Sequence, residues 1–579
     1  MDQLVDQLQQ LSISIINNLE HVGFDPDHPQ TLRYNLKPND WAYSCQNFVI
    51  TVILMYSFLF STEIIRRATR EYTRARPDEK LAEEFFLKYN VPEHTIVKDE
   101  HYYSALNLVT EWFRPKELIH PVHFTDLRWY PWKLSTNAER PFSTSKDLKQ
   151  VVRQALKLGL TTDAKMSFHN LFNQVFIYCR RYTHHIKEGQ HVPLHHITLH
   201  IKPALTHIAK KAKVRTVFGV SKCLIFIEAM FFWPLFSCYF TSDPTPLLWN
   251  YESLNGGWYR LNDEYRSNFS AFKPIINIDW SEFDMRVYFS MWRDIRAKVK
   301  TYFCFCGRYH PSRTYPSANT APLRLERLWN WIGYAYENSL CVSPTGKLFK
   351  RHFAGMPSGI FCTQFYDSFY NGVMIVTILL SLGQTVSEKH FLKLMGDDAL
   401  FGLLENIPLD TWADFLEAFA LEAKLRFNSE LSPSKCDVSA HIHGASVLSY
   451  QNWNGMPKRD PEQLLAQLLH PKSLRDTPQR LMARAIGIYF ASGGDKRLRP
   501  ICEYIYSELE FRGVKPNPKG LKDLFGDESI YFTFFDLSYF PSETEVISRL
   551  VGPSSRSKEL QDRYWPLDHF LVEAGSCLH

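Results

Sequence analysis

The sequence predicts an α+β fold in which a small antiparallel sheet is backed by helices. Three observations carry the prediction. KPIINIDW (273–280) is a β-branched run that ends in an acid, the pattern of a buried strand. FLKLMGDDALFGLL (391–404) sets two short apolar runs around Gly-Asp-Asp, which reads as a β-hairpin with the acids at its tip. Two helix patterns accompany them. The stretch 361–382 is apolar on most faces, as a core helix is, and 409–427 is amphipathic, with acids early and Lys424 and Arg426 late, as the helix dipole prefers. Over 273–427 the order strand–helix–helix–hairpin–helix fits such a layered sheet.

The other elements follow in chain order. Residues 1 to about 100 read as helical with mixed charge, and 101–270 are rich in aromatics, histidine and lysine. Residues 282–300 read as a helix, 304–323 as an irregular connection, and 351–360, with two glycines and a proline, as a loop. At 579 residues the chain exceeds one ordinary domain, and 45% hydrophobic with 22% charged residues is a folded composition. A net charge of +5 is too small for a global basic field, so any phosphate binding must rest on local clusters. Aromatics at 15% suit both deep cores and stacking surfaces. Eleven scattered cysteines form no disulfide framework and point to reduced thiols in an intracellular setting. The opening MDQLVDQLQQ lacks a basic signal-peptide region. FVITVILMYSFLF (48–60) is shorter than the roughly 20 residues of a spanning helix, and CLIFIEAMFFWPLFSCYF (223–240) is interrupted by Glu228 and Pro234. Both read as core helices and no membrane span is expected; the arginine-rich stretch 64–80 leaves a weak membrane-surface option.

The chemistry concentrates in a few places. Asp279 stands at a strand end, Asp284 follows five residues later, and Asp397 and Asp398 occupy the hairpin tip. Adjacent like charges between apolar flanks become favourable when divalent ions sit among them, and carboxylate oxygens suit Mg²⁺ or Mn²⁺. If the strands are neighbours, Asp279 and Asp397 can share two metals roughly 3.5–4 Å apart. Gly-Asp-Asp alone is weak, since a solvated turn explains it. IAKKAKVRTVFG (208–219) adds Lys210, Lys211, Lys213 and Arg215; strand alternation puts Lys211, Lys213 and Arg215 on one side, a row able to hold a triphosphate. GMPSGIFCTQFYDSFYN supplies Ser358 and Gly359 on a loop, then Thr363, Asp367, Ser368 and Asn371 at helical steps, with Asp367 and Asn371 on one face. Polar groups on an apolar helix need partners, and a ribose 2′-OH is one such partner.

In this order, the basic K-V-R segment, DWSEFD, PSGIFCTQFYDSFYN and GDD resemble motifs F, A, B and C of viral RNA-dependent RNA polymerases. The longer strings KVRTVFG, LLWNYESLNGGWYRL, TQFYDSFYN and LLAQLLHP resemble the polymerases of partitiviruses, whose small segmented genomes are double-stranded RNA; picobirnavirus polymerases are near relatives. The likeness runs from about 200 to 475. It implies a right-hand fold: an N-terminal extension with fingertips (1–105) that encircles the hand, fingers (106–272), a palm (273–460) with a fingers insertion at about 301–350, and a thumb with C-terminal tail (461–579). It implies RNA-directed RNA synthesis with Mg²⁺ or Mn²⁺, Asp279 and Asp397 as metal ligands and Asp398 as an outer one. Asp284, Ser358, Thr363 and Asn371 would recognise the ribose and position the nucleotide, with Gly359 and Asp367 beside them, and Lys213 and Arg215 would contact the triphosphate. Lys435 in SPSKCDV would be the general acid for pyrophosphate, and VLSYQNWNGMPKRD (447–460) the primer grip. Template and product RNA, NTPs and a viral coat protein are the implied partners, and the virion interior and host cytoplasm the implied locations. Ala399 stands where these polymerases often have serine, and Met395 where a polar residue is common.

Two rival classes fit less well. A reverse transcriptase carries its two acids after an aromatic-x pair and gates its site with a bulky aromatic, whereas Asp284 with Asn371 favours ribonucleotides. A coat or structural RNA-binding protein needs basic and aromatic surface, but not four ordered acids with a Ser-Gly loop between them. Seven histidines crowd 184–207, among them His196 and His200 at i, i+4; they read as a fingers surface near RNA rather than a zinc site. CFCGRYH offers Cys304, Cys306 and His310, but C-x-C is short for zinc and a fourth ligand is not evident.

Overall fold

The computed structural model describes residues 17–28, 39–74, 79–210, 214–240, 245–405, 407–408, 411–431, 433–473, 476–525, 535–552 and 562–575. At its centre lies a four-stranded sheet in the order Leu392–Met395, Asp398–Gly402, Ile275–Ile278, Asp437–Ser439, antiparallel throughout. The hairpin and the strand ending before Asp279 are therefore neighbours, as the pairing of acids requires. Two helices back the sheet. Thr363–Ser381 is buried over most of its length, with Gly372 close against Leu394 of the hairpin on one side and Val109 of the helix Glu100–Trp112 on the other. Trp412–Phe427 packs Phe419 on Phe401 of the sheet, with stacked ring centroids 6.0 Å apart, and closes with Asn428 in the left-handed conformation.

A second, five-stranded sheet runs Leu19–Phe24, Lys347–Arg351, Cys341–Val342, Ile197–Pro203, Val214–Gly219. Its first strand corrects the expectation of an all-helical N-terminal region. LEHVGF has a single buried residue, Leu19, so no local periodicity marks it; pairing with Lys347–Arg351 holds it. Beside it, the Asn18 side chain is fully buried. It donates to the carbonyl oxygens of Tyr89 (2.6 Å) and Ala354 (3.1 Å) and accepts the amides of Phe353 and Ala354 (3.0 Å each).

The helices gather around two apolar cores. Lys222–Tyr239 threads the first, packing Phe232 on Trp329 and Tyr366. Among the described residues it is the one helix long and apolar enough to cross a membrane, and it lies inside the fold. It runs unbroken through Pro234. The Met230 carbonyl, which proline leaves without its helical donor, accepts the amide of Val122 at 2.8 Å. The second core joins the N-terminal helices Asp40–Met55 and Thr62–Arg70 to Pro461–Leu469, Pro478–Ala491 and Arg499–Phe511. The expected C-terminal block 461–579 is split. Residues 562–575 return to the first core, where Trp565 and Phe570 pack on Trp233 with centroids 5.3 and 5.1 Å away and His569 pairs with buried Asp126 at 2.8 Å.

Candidate active site

Strand register assembles the acids. Ala399 lies opposite Ile278, so one step further along the same ladder Asp398 faces Asp279. Asp437 lies opposite Asn277 on the other side, and the turn Pro433–Lys435 leads into this edge strand, with Lys435 two residues before Asp437. Met395 pairs with Asp398, leaving Gly396 and Asp397 as a two-residue hairpin loop. Of the two, only Gly396 has positive φ (67°), the type II′ pattern, and a side chain there would be strained although space is open around it. Asp279, Asp397 and Lys435 are exposed at this end of the sheet and Asp398 is half-buried. Burial, then the Asp397 and Asp279 carboxylates, push the Asp398 carboxyl up to about 7, against the opposing pull of Arg215.

The turn is held from beneath by the helix Thr363–Ser381. Asn371 donates to the carbonyl oxygens of Gly396 (3.1 Å) and Asp397 (2.9 Å), and its own oxygen accepts the Trp280 indole N–H at 2.8 Å. Ser368 accepts the Gly396 amide at 2.8 Å. This corrects the expectation that Asn371 reads the ribose. The side chain is fully buried and both its carbonyl and its amide group are engaged in fixing the turn. Asp367, one helical turn earlier, behaves differently. Its carboxyl lies beside that of Asp284; burial, then the Asp284 and Asp397 charges, raise its pKa well above the carboxylate range. Burial and Asp397 push Asp284 up to about 7, with the Asp367 contact and Arg215 opposing.

The Ser-Gly loop approaches from the second sheet. Exposed Ser358 stands next to Gly359, where a Cβ would fall 1.8 Å from the Phe218 carbonyl oxygen, so only glycine permits this contact with the strand Val214–Gly219. The Thr363 hydroxyl donates to the carbonyls of Pro357 (3.0 Å) and Ile360 (3.2 Å), which makes it a clasp of the loop. The Met356 amide donates to the Asp284 carbonyl at 2.7 Å. Buried Glu228 accepts the Phe361 amide at 2.8 Å. Sequence reasoning missed Glu228 and Trp280 as parts of the site. The signal for Glu228 was present, a lone acid in an apolar run, and a buried charge needs a partner; nothing local marks Trp280.

Comparison with known proteins agrees with this geometry. The family model described as viral RNA-dependent RNA polymerase matches residues 156–492, more than half of the chain. The chain belongs to this family. It is 31% identical to the RNA-directed RNA polymerase of White clover cryptic virus 1 (isolate Boccardo/2004), over 99% of this chain and 100% of that protein. It is 28% identical to the RNA-directed RNA polymerase of Atkinsonella hypoxylon virus (isolate 2H), over 73% of this chain and 70% of that one. The solved Sicinivirus 3Dpol RNA dependent RNA polymerase shares the right-hand fold, with a TM-score of 0.58 at 13% identity over 85% of this chain and 94% of that chain.

Arg215 is exposed and close enough to Asp284 and Asp398 to lower both; Lys211 and Lys213 lie outside the described residues. Residues 446–458 form a three-stranded antiparallel sheet at the expected primer grip. Ala399 is fully buried between Leu394 and Ile278, and half-buried Met395 packs against the cores. The i, i+4 pair His196 and His200 does not gain a shared helical face, because Ile197–Pro203 is a strand. His200 instead pairs with Glu139 at 3.0 Å and His207 with Glu71 at 2.6 Å.

Proposed function

We propose that this polymerase replicates and transcribes a viral double-stranded RNA genome by template-directed nucleotidyl transfer with two divalent metal ions, Mg²⁺ or Mn²⁺. The observation that carries the mechanism is the register that brings Asp279, Asp397 and Asp398 to one end of the central sheet, with Lys435 in the turn that enters its edge strand. The donors there are hard carboxylate oxygens, and Asp398 is raised by burial and then by the neighbouring Asp397 and Asp279 carboxylates, a crowding of like charge that a cation relieves. Asp279 and Asp397 are the assigned ligands, with Asp398 outside them. When bound, the ions lower the pKa of the attacking hydroxyl and stabilise the leaving oxygen. The 3′-hydroxyl oxygen of the growing strand attacks the α-phosphorus, the α–β P–O bond breaks, the hydroxyl proton leaves to solvent, and Lys435 protonates the departing pyrophosphate. Arg215 grips the triphosphate with a bidentate fork and Lys213 with a point charge. Asp284, beside Asp367, offers acceptor oxygens to the ribose 2′-OH, and Ser358 on its Gly359-dependent loop flanks the nucleotide.

In the same proposal residues 106–272 with 301–350 act as fingers, the remainder of 273–460 as palm, and the helices after 461 as thumb, while the N-terminal 105 residues tie fingers to thumb. The partitivirus-like strings support a double-stranded genome, association with a viral coat protein, and work in the virion interior and host cytoplasm. The test is RNA synthesis by the purified chain on single-stranded RNA with four labelled NTPs and Mg²⁺ or Mn²⁺. The expected result is a full-length complementary strand. Absence of product with either ion, or equal use of dNTPs, would overturn the proposal.

A further inference from the structure

Outside the active site, the connection that follows the helix Phe289–Lys300 forms a tight knuckle. Its backbone is tied to the segment 119–121 at both ends. The Ile119 amide donates to Tyr302 (2.8 Å), the Cys304 amide to Ile119 (2.9 Å), and the His310 amide to Pro121 (2.9 Å). Between these ties the chain turns at Gly307, whose φ of 91° only glycine adopts freely, and a Cβ there would fall 2.1 Å from the Thr320 carbonyl oxygen. His120 is fixed between two of the anchoring residues. The result is a convergence that sequence order hides: ligand atoms of His120, Cys304 and Cys306 all lie within 4.8 Å of one another, the one such grouping of three metal-ligating residues among the described residues.

We propose that His120, Cys304 and Cys306 bind a zinc ion that pins the 304–310 knuckle to the segment 119–121. Two thiolates and an imidazole are a standard zinc donor set, with bonds of about 2.3 Å to sulfur and about 2.0–2.1 Å to nitrogen, so ligand atoms around a filled tetrahedron stand roughly 3.4–3.8 Å apart. The His120 Nδ1 lies 3.4 Å from the Arg308 carbonyl oxygen, the kind of backbone contact that orients metal-bound histidines. His310, grouped with the two cysteines by sequence, has its Nε2 engaged by the Val572 carbonyl at 3.2 Å and is not a ligand in this site. Cys306 is exposed, so the fourth position is open to water.

The experiment uses the full chain purified from zinc-supplemented cells and desalted, with metal counted by mass spectrometry. One zinc per chain is expected, and Cys304→Ser, Cys306→Ser and His120→Ala should each lower retention by roughly ten-fold or more. Because the active-site acids can also hold a cation, the chain is reloaded with Co²⁺, whose thiolate charge-transfer band reports sulfur ligands alone. That band should be present in the wild type, unchanged in Cys238→Ser, and lost in Cys306→Ser. The solvent-exposed position of Cys306 lets its variant keep the wild-type circular dichroism, so the loss reads ligation rather than unfolding. Substoichiometric zinc in the wild type, or a cobalt band that survives Cys306→Ser, would overturn the proposal.

Discussion

Asn371 and Asp284 look interchangeable in the sequence, two polar residues near a nucleotide, yet their surroundings give them different work. Asn371 spends its carbonyl and its amide group on Trp280 and on the Gly396 and Asp397 carbonyls. Asn371→Ala should therefore displace the Asp397 turn and slow incorporation of NTPs and dNTPs alike, by about a hundred-fold for a shift of about 1 Å. Asp284→Ala should hurt NTP use more than dNTP use, since it removes the group assigned to the 2′-OH. Single-turnover incorporation with matched NTP and dNTP checks both; an Asn371 variant that selectively lost NTP use would return that residue to the sugar. The acids were legible because charge between apolar runs has few explanations. The job of Asn371 was not, because its partners come from a strand end 91 residues away and a turn 25 residues away.

At the scale of elements, the Ser-Gly loop depends on what it leans against. Gly359→Ala puts a methyl group 1.8 Å from the Phe218 carbonyl oxygen, so the loop must move while the buried helix after it stays. Expected are an unchanged circular dichroism spectrum and a loss of incorporation of about a hundred-fold; near wild-type rates would show that the loop tolerates the shift. Glu228 anchors the same loop. Burial pushes its carboxyl from its ordinary 4.5 up to about 8, against the Phe361 amide and the Cys362 thiol. A raised folded-state pKa means the folded chain binds the extra proton, so this contribution to stability is full below about pH 4.5 and is lost as pH rises toward 8. Glu228→Gln keeps an acceptor for the Phe361 amide but does not titrate. The thermal midpoint of the wild type should fall relative to that of Glu228→Gln as pH rises through this window; parallel profiles would contradict the assignment. Helix and hairpin were legible here from periodicity and turn chemistry, whereas the lean of loop on strand depends on tertiary contact that no local pattern encodes.

At the scale of the whole molecule, the chain closes on itself. Its N-terminal strand joins the five-stranded sheet, its next helices join the C-terminal core, and residues 562–575 return to the first core. LEHVGF and the tail around Trp565 gave no advance sign of this, because edge pairing and aromatic docking are decided by distant partners. Asn18 links that closure to the active site through Phe353 and Ala354, five and four residues before Ser358. Asn18→Ala strands buried amides and carbonyls, at a cost of about 1–3 kcal/mol, and should raise hydrogen exchange in 352–362 without unfolding the central sheet; unchanged exchange there would separate the N-terminal region from the loop. The central claim is that the acids gathered by strand register perform the chemistry. Its most direct test is single-nucleotide incorporation by Asp397→Ala beside the wild type, with Mg²⁺, on one primed RNA template. The account predicts a folded variant that binds RNA and loses several orders of magnitude in rate. A variant that incorporates at near wild-type rate would contradict it.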